Sequence, residues 1–300
     1  MKSTFFTLSA LAALATSAFA ANELTMEKRI VKRDTAKPTD VEILNFALTL
    51  EYLERNFYAE AIKKFSAADF QKAGYPSYVR DSFVTLAQQE ANHVSLLSGA
   101  LGDAATKACE YEFGLSSVKA VVATARLLEN VGVAAYTGAA PDITNKDYLA
   151  VAASIVTVEA RHASAIQSFQ GQAAFPQTYD SPLDYNQVYS LAAPLIIPGS
   201  CASAQLPPGL QAYPALTLVT KIPRSGHKSA LKFAEKQGYT GEYYGAFIAD
   251  NSIQYVKIDK ATQTINVPKG LYGLTYLVVT TSDSSVAAAD TVAGPGVLYL

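Results

Sequence analysis

The chain has 300 residues, half of them hydrophobic and 17% charged, with a formal net charge of −2. That is an ordinary globular composition with material for one or two domains. The near-neutral balance gives no electrostatic footprint for nucleic acid or for an anionic membrane surface.

Residues 1–20 read as a secretory signal peptide. Lys2 gives a positive start, Phe5 to Ala15 are mostly apolar, and Ala18-Phe19-Ala20 supplies small residues at a cleavage point. The apolar run is too short to span a bilayer, and later apolar stretches are interrupted by charge, so no transmembrane segment is expected. Lys28-Arg29 and Lys32-Arg33 are dibasic pairs. They resemble late-secretory processing sites, which makes residues 21–33 a propeptide and Asp34 the mature start; the other reading is solvated charge. The expected location is secreted, extracellular or in a cell wall. No Asn-x-Ser/Thr sequon is present. Cys109 and Cys201 are the only cysteines. In an oxidising compartment they are most simply one disulfide, closing a loop of about 90 residues worth about 4 to 5 kcal/mol by chain entropy. Two separate buried thiols are the alternative.

Residues 34–175 read as a four-helix bundle. Thr39 or Asp40 caps a first helix running to about Lys72, which Gly74 and Pro76 end. A second runs from about Ser77 to Ser98, before Gly99 and Gly102. A third runs from about Ser116 to Thr137, and a fourth from Thr144 to about Gln170. Each carries an apolar stripe at helical spacing: Phe83, Leu86, Ala87, Val94 and Leu97 in the second, Val151, Ala152, Ile155, Ala163 and Ile166 in the fourth. Four such stripes bury one another most simply in a bundle.

Composition changes after Phe175. Residues 176–213 form a Pro-rich connector, with Pro176, Pro182, Pro194, Pro198, Pro207 and Pro208, and no helix is expected there. Residues 214–300 hold seven short β-type runs: 216–221, 230–234, 244–249, 253–258, 264–267, 275–281 and 297–300. They suggest a small β-sandwich, making the chain an α+β multidomain protein.

The chain has three histidines. His93 and His162 each have a glutamate three residues earlier, giving Glu90-x-x-His93 and Glu159-x-x-His162. Positions i and i+3 share a helix face, and both pairs lie on core-facing stripes, where carboxylates are costly unless paired or metal-bound. Glu51 and Glu129 lie on the stripes of the first and third helices. Each is followed seven residues later by a tyrosine, Tyr58 and Tyr136, so helices one and two repeat in helices three and four. One Glu from each of two helices, plus Glu-x-x-His from each of the other two, is the di-iron or di-manganese carboxylate pattern. The candidate metal ligands are therefore Glu51, Glu90, His93, Glu129, Glu159 and His162, holding two divalent ions, iron or manganese. Two bridging carboxylates, with one carboxylate and one imidazole left for each ion, satisfy the pair. Glu54, one turn from Glu51, is the competing first-helix ligand. Tyr58 and Tyr136 are candidate hydrogen-bond donors to the ligands or radical traps, or else core aromatics. His227, in a polar loop, reads as surface.

Residues 40–170 resemble the ferritin-like superfamily. Leu50-Glu51-Tyr52-Leu53-Glu54 with Asn56-Phe57-Tyr58, and Val158-Glu159-Ala160-Arg161-His162-Ala163-Ser164, resemble motifs of a secreted fungal group and of plant desiccation-related proteins. The tail Ala293-Gly294-Pro295-Gly296-Val297 resembles the fungal members, known as rds-type stress-response proteins. The resemblance implies expression under stress. The first functional reading is a di-metal oxidoreductase acting on peroxide or dioxygen, with ferroxidase, catalase-like or peroxidase-like chemistry. The alternative is a non-catalytic metal-binding or cell-surface stress protein. Iron storage in a closed shell fits poorly with a fused β-region.

Overall fold

Thr39 and Glu42 form a reciprocal capping box that starts α1 (Asp40–Lys64). The computed structural model describes residues 37–201, 205–220 and 222–300; the signal peptide and propeptide expected over residues 1–33 lie outside them. α1 stops eight residues short of the expected Lys72. Phe65 turns extended, and Ser66 forms a second capping box with Asp69 that starts the short α2 (Ala67–Lys72). Arg80 donates to the free carbonyls of Ile62 and Phe65, so the break is satisfied from α3 (Ser77–Leu101). α4 (Val118–Ala139) and α5 (Lys146–Phe169) begin at side-chain caps from Ser117 and Asn145. α1 packs chiefly on α3, and α4 chiefly on α5. α5 is long and apolar enough to cross a membrane. Within the bundle, however, its buried face carries Glu159 and His162.

The Pro-rich connector contains a helix that its composition does not suggest. α6 (Tyr185–Ala192) occupies a proline-free interval between Pro182 and Pro194, started by a capping box between Asp184 and Gln187. Its Val188 and Ala192 enter the main core, and α6 lies against α4. Cys109 and Cys201 form a disulfide with Cα atoms 4.5 Å apart. It ties the connection between α3 and α4 to the end of the connector, beside the backbone bonds from Glu112 to Leu195 and from Ile197 to Glu110. Cys201→Ser should lower the unfolding free energy by about 2 to 5 kcal/mol. A denaturant midpoint equal to that of the parent would show that the strap adds nothing.

Each of the seven expected runs falls in a strand of two antiparallel sheets, but the last strand begins six residues before the expected 297, continuing through Gly294-Pro295-Gly296, which reads as a break in sequence. The strands are β1 (Thr217–Leu218), β2 (Lys228–Lys232), β3 (Tyr244–Ala249), β4 (Ser252–Lys257), β5 (Thr264–Asn266), β6 (Leu274–Thr280) and β7 (Thr291–Tyr299). The sheets run β1-β2-β5 and β4-β3-β6-β7. β6 is buried at every position. On one face Leu277 and Val279, with Phe247 of β3, meet Ile265 and Leu231 of the smaller sheet. On the other, Tyr276 and Val278 join the cluster that contains the bundle's Leu53, Phe57 and Val131. Period-2 alternation therefore gives way to a continuous apolar run, as for any strand covered on both sides. Two polar contacts pin the sheet to α4. The Tyr276 hydroxyl donates to the carbonyl of Asn130 at 3.0 Å. The Arg126 guanidinium lies over the Tyr299 ring, 3.2 Å from its centroid.

Candidate metal centre

The six ligand candidates come together in the middle of the bundle. Glu90, Glu129 and Glu159 have no solvent exposure, and Glu51, His93 and His162 are buried. They form two overlapping groups, each with donor atoms within 4.8 Å of one another: Glu51, Glu90, His93 and Glu159, and Glu90, Glu129, Glu159 and His162. Glu90 and Glu159 belong to both groups. Glu51 with His93 belongs to one only, and Glu129 with His162 to the other. The two Glu-x-x-His carboxylates are thus the ones the groups share.

Both imidazoles turn Nδ1 inward. His93 Nδ1 lies 3.2 Å from Glu51, 3.1 Å from Glu90 and 3.3 Å from Glu159. His162 Nδ1 lies 3.0 Å from Glu90 and 3.1 Å from Glu129. The outer nitrogen of His162, Nε2, is 2.7 Å from Gln89 Oε1. In either protonation state that keeps Nδ1 turned to the carboxylates, Nε2–H can donate to that amide, which would fix the ring as an outer-shell partner does for a metal-bound histidine. The tyrosines serve the opposite halves. Tyr58 of α1 donates to Glu129 of α4, and Tyr136 of α4 donates to Glu51 of α1 at 2.5 Å.

The donor set fits divalent metal. Glu159 Oε2 is buried without a hydrogen-bond partner, and Glu90 Oε1 and Glu159 Oε1 have only the histidine Nδ1 atoms beside them, at 3.0 and 3.3 Å. Among the described residues no lysine or arginine pairs with any carboxylate of the cluster. Four carboxylates crowded together are tolerable only if protons or cations neutralise them. The protons are held accordingly. Burial disfavours the charged ring of His93, but Glu159, Glu51 and Glu90 outweigh it and push it up to about 12. His162 is pushed up to about 10 against burial, by Glu129 and Glu90. Burial also opposes ionisation of Glu90, yet the two histidines bring it down to about 2. Glu51 is raised to about 7 by burial and by the charge of Glu90. Glu159 is held well above the carboxylate range by burial and by Glu90 and Glu129.

Of the two first-helix glutamates, Glu51 is the one whose oxygen sits among the donors. Glu54 is also buried, and burial with the charges of Glu159 and Glu129 holds it well above its usual range. It lies to one side, in space that Gly132 leaves open. A Cβ on Gly132 would stand 2.7 Å from Glu159 Oε2 and 3.3 Å from Glu54 Oε1. Gly132 follows Glu129 by three residues, as Glu54 follows Glu51, so the pseudo-symmetric halves differ at this point. Gly132→Ala should leave the fold intact, because the Glu159 tip can move, but weaken metal binding about 10-fold by displacing that tip. Binding equal to that of the parent would show that Glu159 needs no fixed position. Gln89 and Gly132 both escape sequence reading. Gln89 carries no periodic signal, and the only hint at Gly132 is a glycine retained in mid-helix at a cost of about 1 kcal/mol. His227 is exposed, as expected.

Comparison with known proteins points to the same helical fold. Residues 39–172 match the family described as ferritin-like domain. Protein rds1 of Schizosaccharomyces pombe is 29% identical over 181 residues, which is 60% of this chain and 44% of that protein. The matched part thus spans less than half the length of that relative. Residues 39–172 thus match a ferritin-like domain, and part of the chain is similar to Rds1.

Proposed function

We propose that this is a secreted, stress-linked metalloprotein whose bundle holds two divalent ions of iron or manganese and turns over dioxygen or peroxide. The observation that carries the reading is the pair of four-donor groups sharing Glu90 and Glu159. In this reading Glu51 and His93 complete one ion's protein ligands, and Glu129 and His162 complete the other's. Four carboxylates and two neutral imidazoles balance two 2+ ions, so the core is electrically neutral when loaded. Ions cycling between the 2+ and 3+ states would supply the electrons for reducing dioxygen or peroxide. The residues do the rest. Gln89 fixes the tautomer of His162, Tyr58 and Tyr136 hold one oxygen each of Glu129 and Glu51, and the apolar shell excludes bulk water. Secretion is supported by the N-terminal pattern and by the disulfide, which suits an oxidising compartment. The stress link rests on the relationship to Rds1 and on the motifs shared with that group.

Proton competition gives a test. Both imidazoles are protonated at neutral pH without metal, because their pKa values are raised. Coordination through Nδ1 requires their neutral form, so loading must expel at least these two protons. The sign follows: affinity rises with pH, by about tenfold per unit for each proton displaced, until the histidines titrate. Calorimetric titration with manganous ion, in buffers of different ionisation heat, should show two equivalents bound and at least two protons released near pH 7. Binding that is independent of pH from 6 to 8 would contradict the site.

A further inference from the structure

A cleft of about 150 Å³ lies between α4, α5 and the segment 174–180 that leads into the connector. Asn130 and Val133 of α4 and Ala163 and Gln167 of α5 line one side, and Leu274 of β6 closes one end. The segment opposite is held in place. Gln177 Nε2 donates to the carbonyl of Leu274 at 2.8 Å, and the Leu274 N–H donates to Gln177 Oε1 at 3.0 Å. The Tyr179 N–H donates to Asp250 Oδ1 at 2.7 Å. Gly273, at φ +70°, has Pro176 and Gln177 so close that a Cβ would stand 2.8 Å from each. The wall is therefore set before any ligand arrives.

The cleft offers oxygen atoms. Asn130 and Gln167 are both more than nine-tenths buried. Asn130 Nδ2 donates to the Arg126 carbonyl at 2.6 Å, and Gln167 Nε2 to the Ala174 carbonyl at 3.4 Å. Their amide oxygens, Oδ1 and Oε1, accept from no described residue. Asp180 lines the same cleft, and among the described residues no lysine or arginine pairs with its carboxylate. Two aromatic rings stand at the rim: Phe175 is 86% exposed, and Tyr179 is also exposed. The fold gives Phe175 almost no packing in return for that exposure.

We propose that this cleft binds a small organic ammonium ion, its N–H groups directed to Asp180, Asn130 and Gln167 and its carbon chain laid along Phe175 and Val133. The site is separate from the metal centre and does not depend on it. An ammonium group carries three donors and no acceptor, which matches amide oxygens and a carboxylate. Exposed aromatic faces attract the same charge. The volume far exceeds the roughly 10 to 15 Å³ that one water needs, so a short carbon chain fits as well. An anion would be repelled by Asp180. A neutral polyol would leave that carboxylate uncompensated. A calcium ion takes six to eight oxygens, and one carboxylate beside two aromatic rings supplies them poorly.

Calorimetric titration of the whole protein with butylammonium tests the assignment. Saturable binding of one equivalent is expected, with none for meso-erythritol or calcium at the same concentrations. Asp180→Asn should weaken butylammonium binding at least about tenfold. Phe175→Ala should weaken it about threefold, and covers a failure of the first variant to fold. Binding of Nα-acetyl-lysine amide in place of butylammonium would assign the ammonium to a lysine side chain instead of a free amine and would uphold the class. No binding of either ammonium probe, binding that both variants leave unchanged, or equal binding of erythritol or calcium would each overturn the proposal.

Discussion

Glu90→Ala combined with His162→Ala should remove both metal ions, and not merely the one nearest His162. Glu90 stands in both donor groups. Its loss leaves Glu51, His93 and Glu159 in one group, and the loss of His162 leaves only Glu129 and Glu159 in the other. Even residues that merely orient ligands cost 10- to 100-fold in affinity, so removing a bridging donor and a terminal one should exceed about 100-fold at each site. His162→Ala alone should be milder, sparing the group built on Glu51 and His93. The double variant removes one acidic and one basic side chain from the cluster, so its net charge is little changed and it should still fold. Two equivalents retained by a folded double variant, measured by elemental analysis after desalting, would sink the ligand assignment.

Gly138→Ala should be the most damaging single substitution outside the metal centre. A Cβ there would overlap the carbonyl oxygen of Leu183 and come within 2.9 Å of its carbon and 3.2 Å of its nitrogen. These are backbone atoms held by the bond from Leu183 to the carbonyl of Ala134 at 3.2 Å, so they cannot rotate away as a side-chain tip would. The connector must lift off α4, taking with it Leu183 and the start of α6, whose Val188 is in the core. Overpacking of this kind costs about 3 kcal/mol. For a chain of this size that lowers the melting temperature by about 6 to 12 °C. A melting temperature within a degree of the parent would show that the connector is not seated on α4 as described.

The contrast between these two sites shows what sequence can and cannot carry. Glu90 with His93, and Glu159 with His162, are readable because i and i+3 on a helix are neighbours by local geometry alone. Glu51 and Glu129 are readable because each interrupts an apolar stripe and each precedes a tyrosine at the same spacing. Which tyrosine serves which carboxylate is a property of two helices crossing, and no single-helix period encodes it. The same holds for Gly138 against Leu183, for Gly132 against Glu54, and for Gln89 under His162. All are contacts between segments distant in sequence. In the sequence, the preference for Glu51 over Glu54 rests on the mirrored Glu-to-Tyr spacing alone, since both lie inward on α1; in the packed bundle only Glu51 stands among the donors.

The fold divides in the same way. Short β-type runs locate six strands and the end of β7, but only the structure shows that the bundle covers the second face of β3 and β6. The break at Ser66 and the helix at Tyr185–Ala192 are each marked locally by a capping box, Ser66 with Asp69 and Asp184 with Gln187. Helical composition on both sides of Ser66 hid the first. The surrounding prolines hid the second. Side-chain caps decided both cases, and they outweighed the composition of the window around them.

Loading of this bundle with two metal ions is the point on which the proposed function turns. It is tested most directly by elemental analysis of the protein purified from its native source, without added metal or chelator. Two equivalents of iron or manganese per chain are expected, lost on acidification as the carboxylates and imidazoles take up protons. A native protein that is stable and metal-free would contradict it.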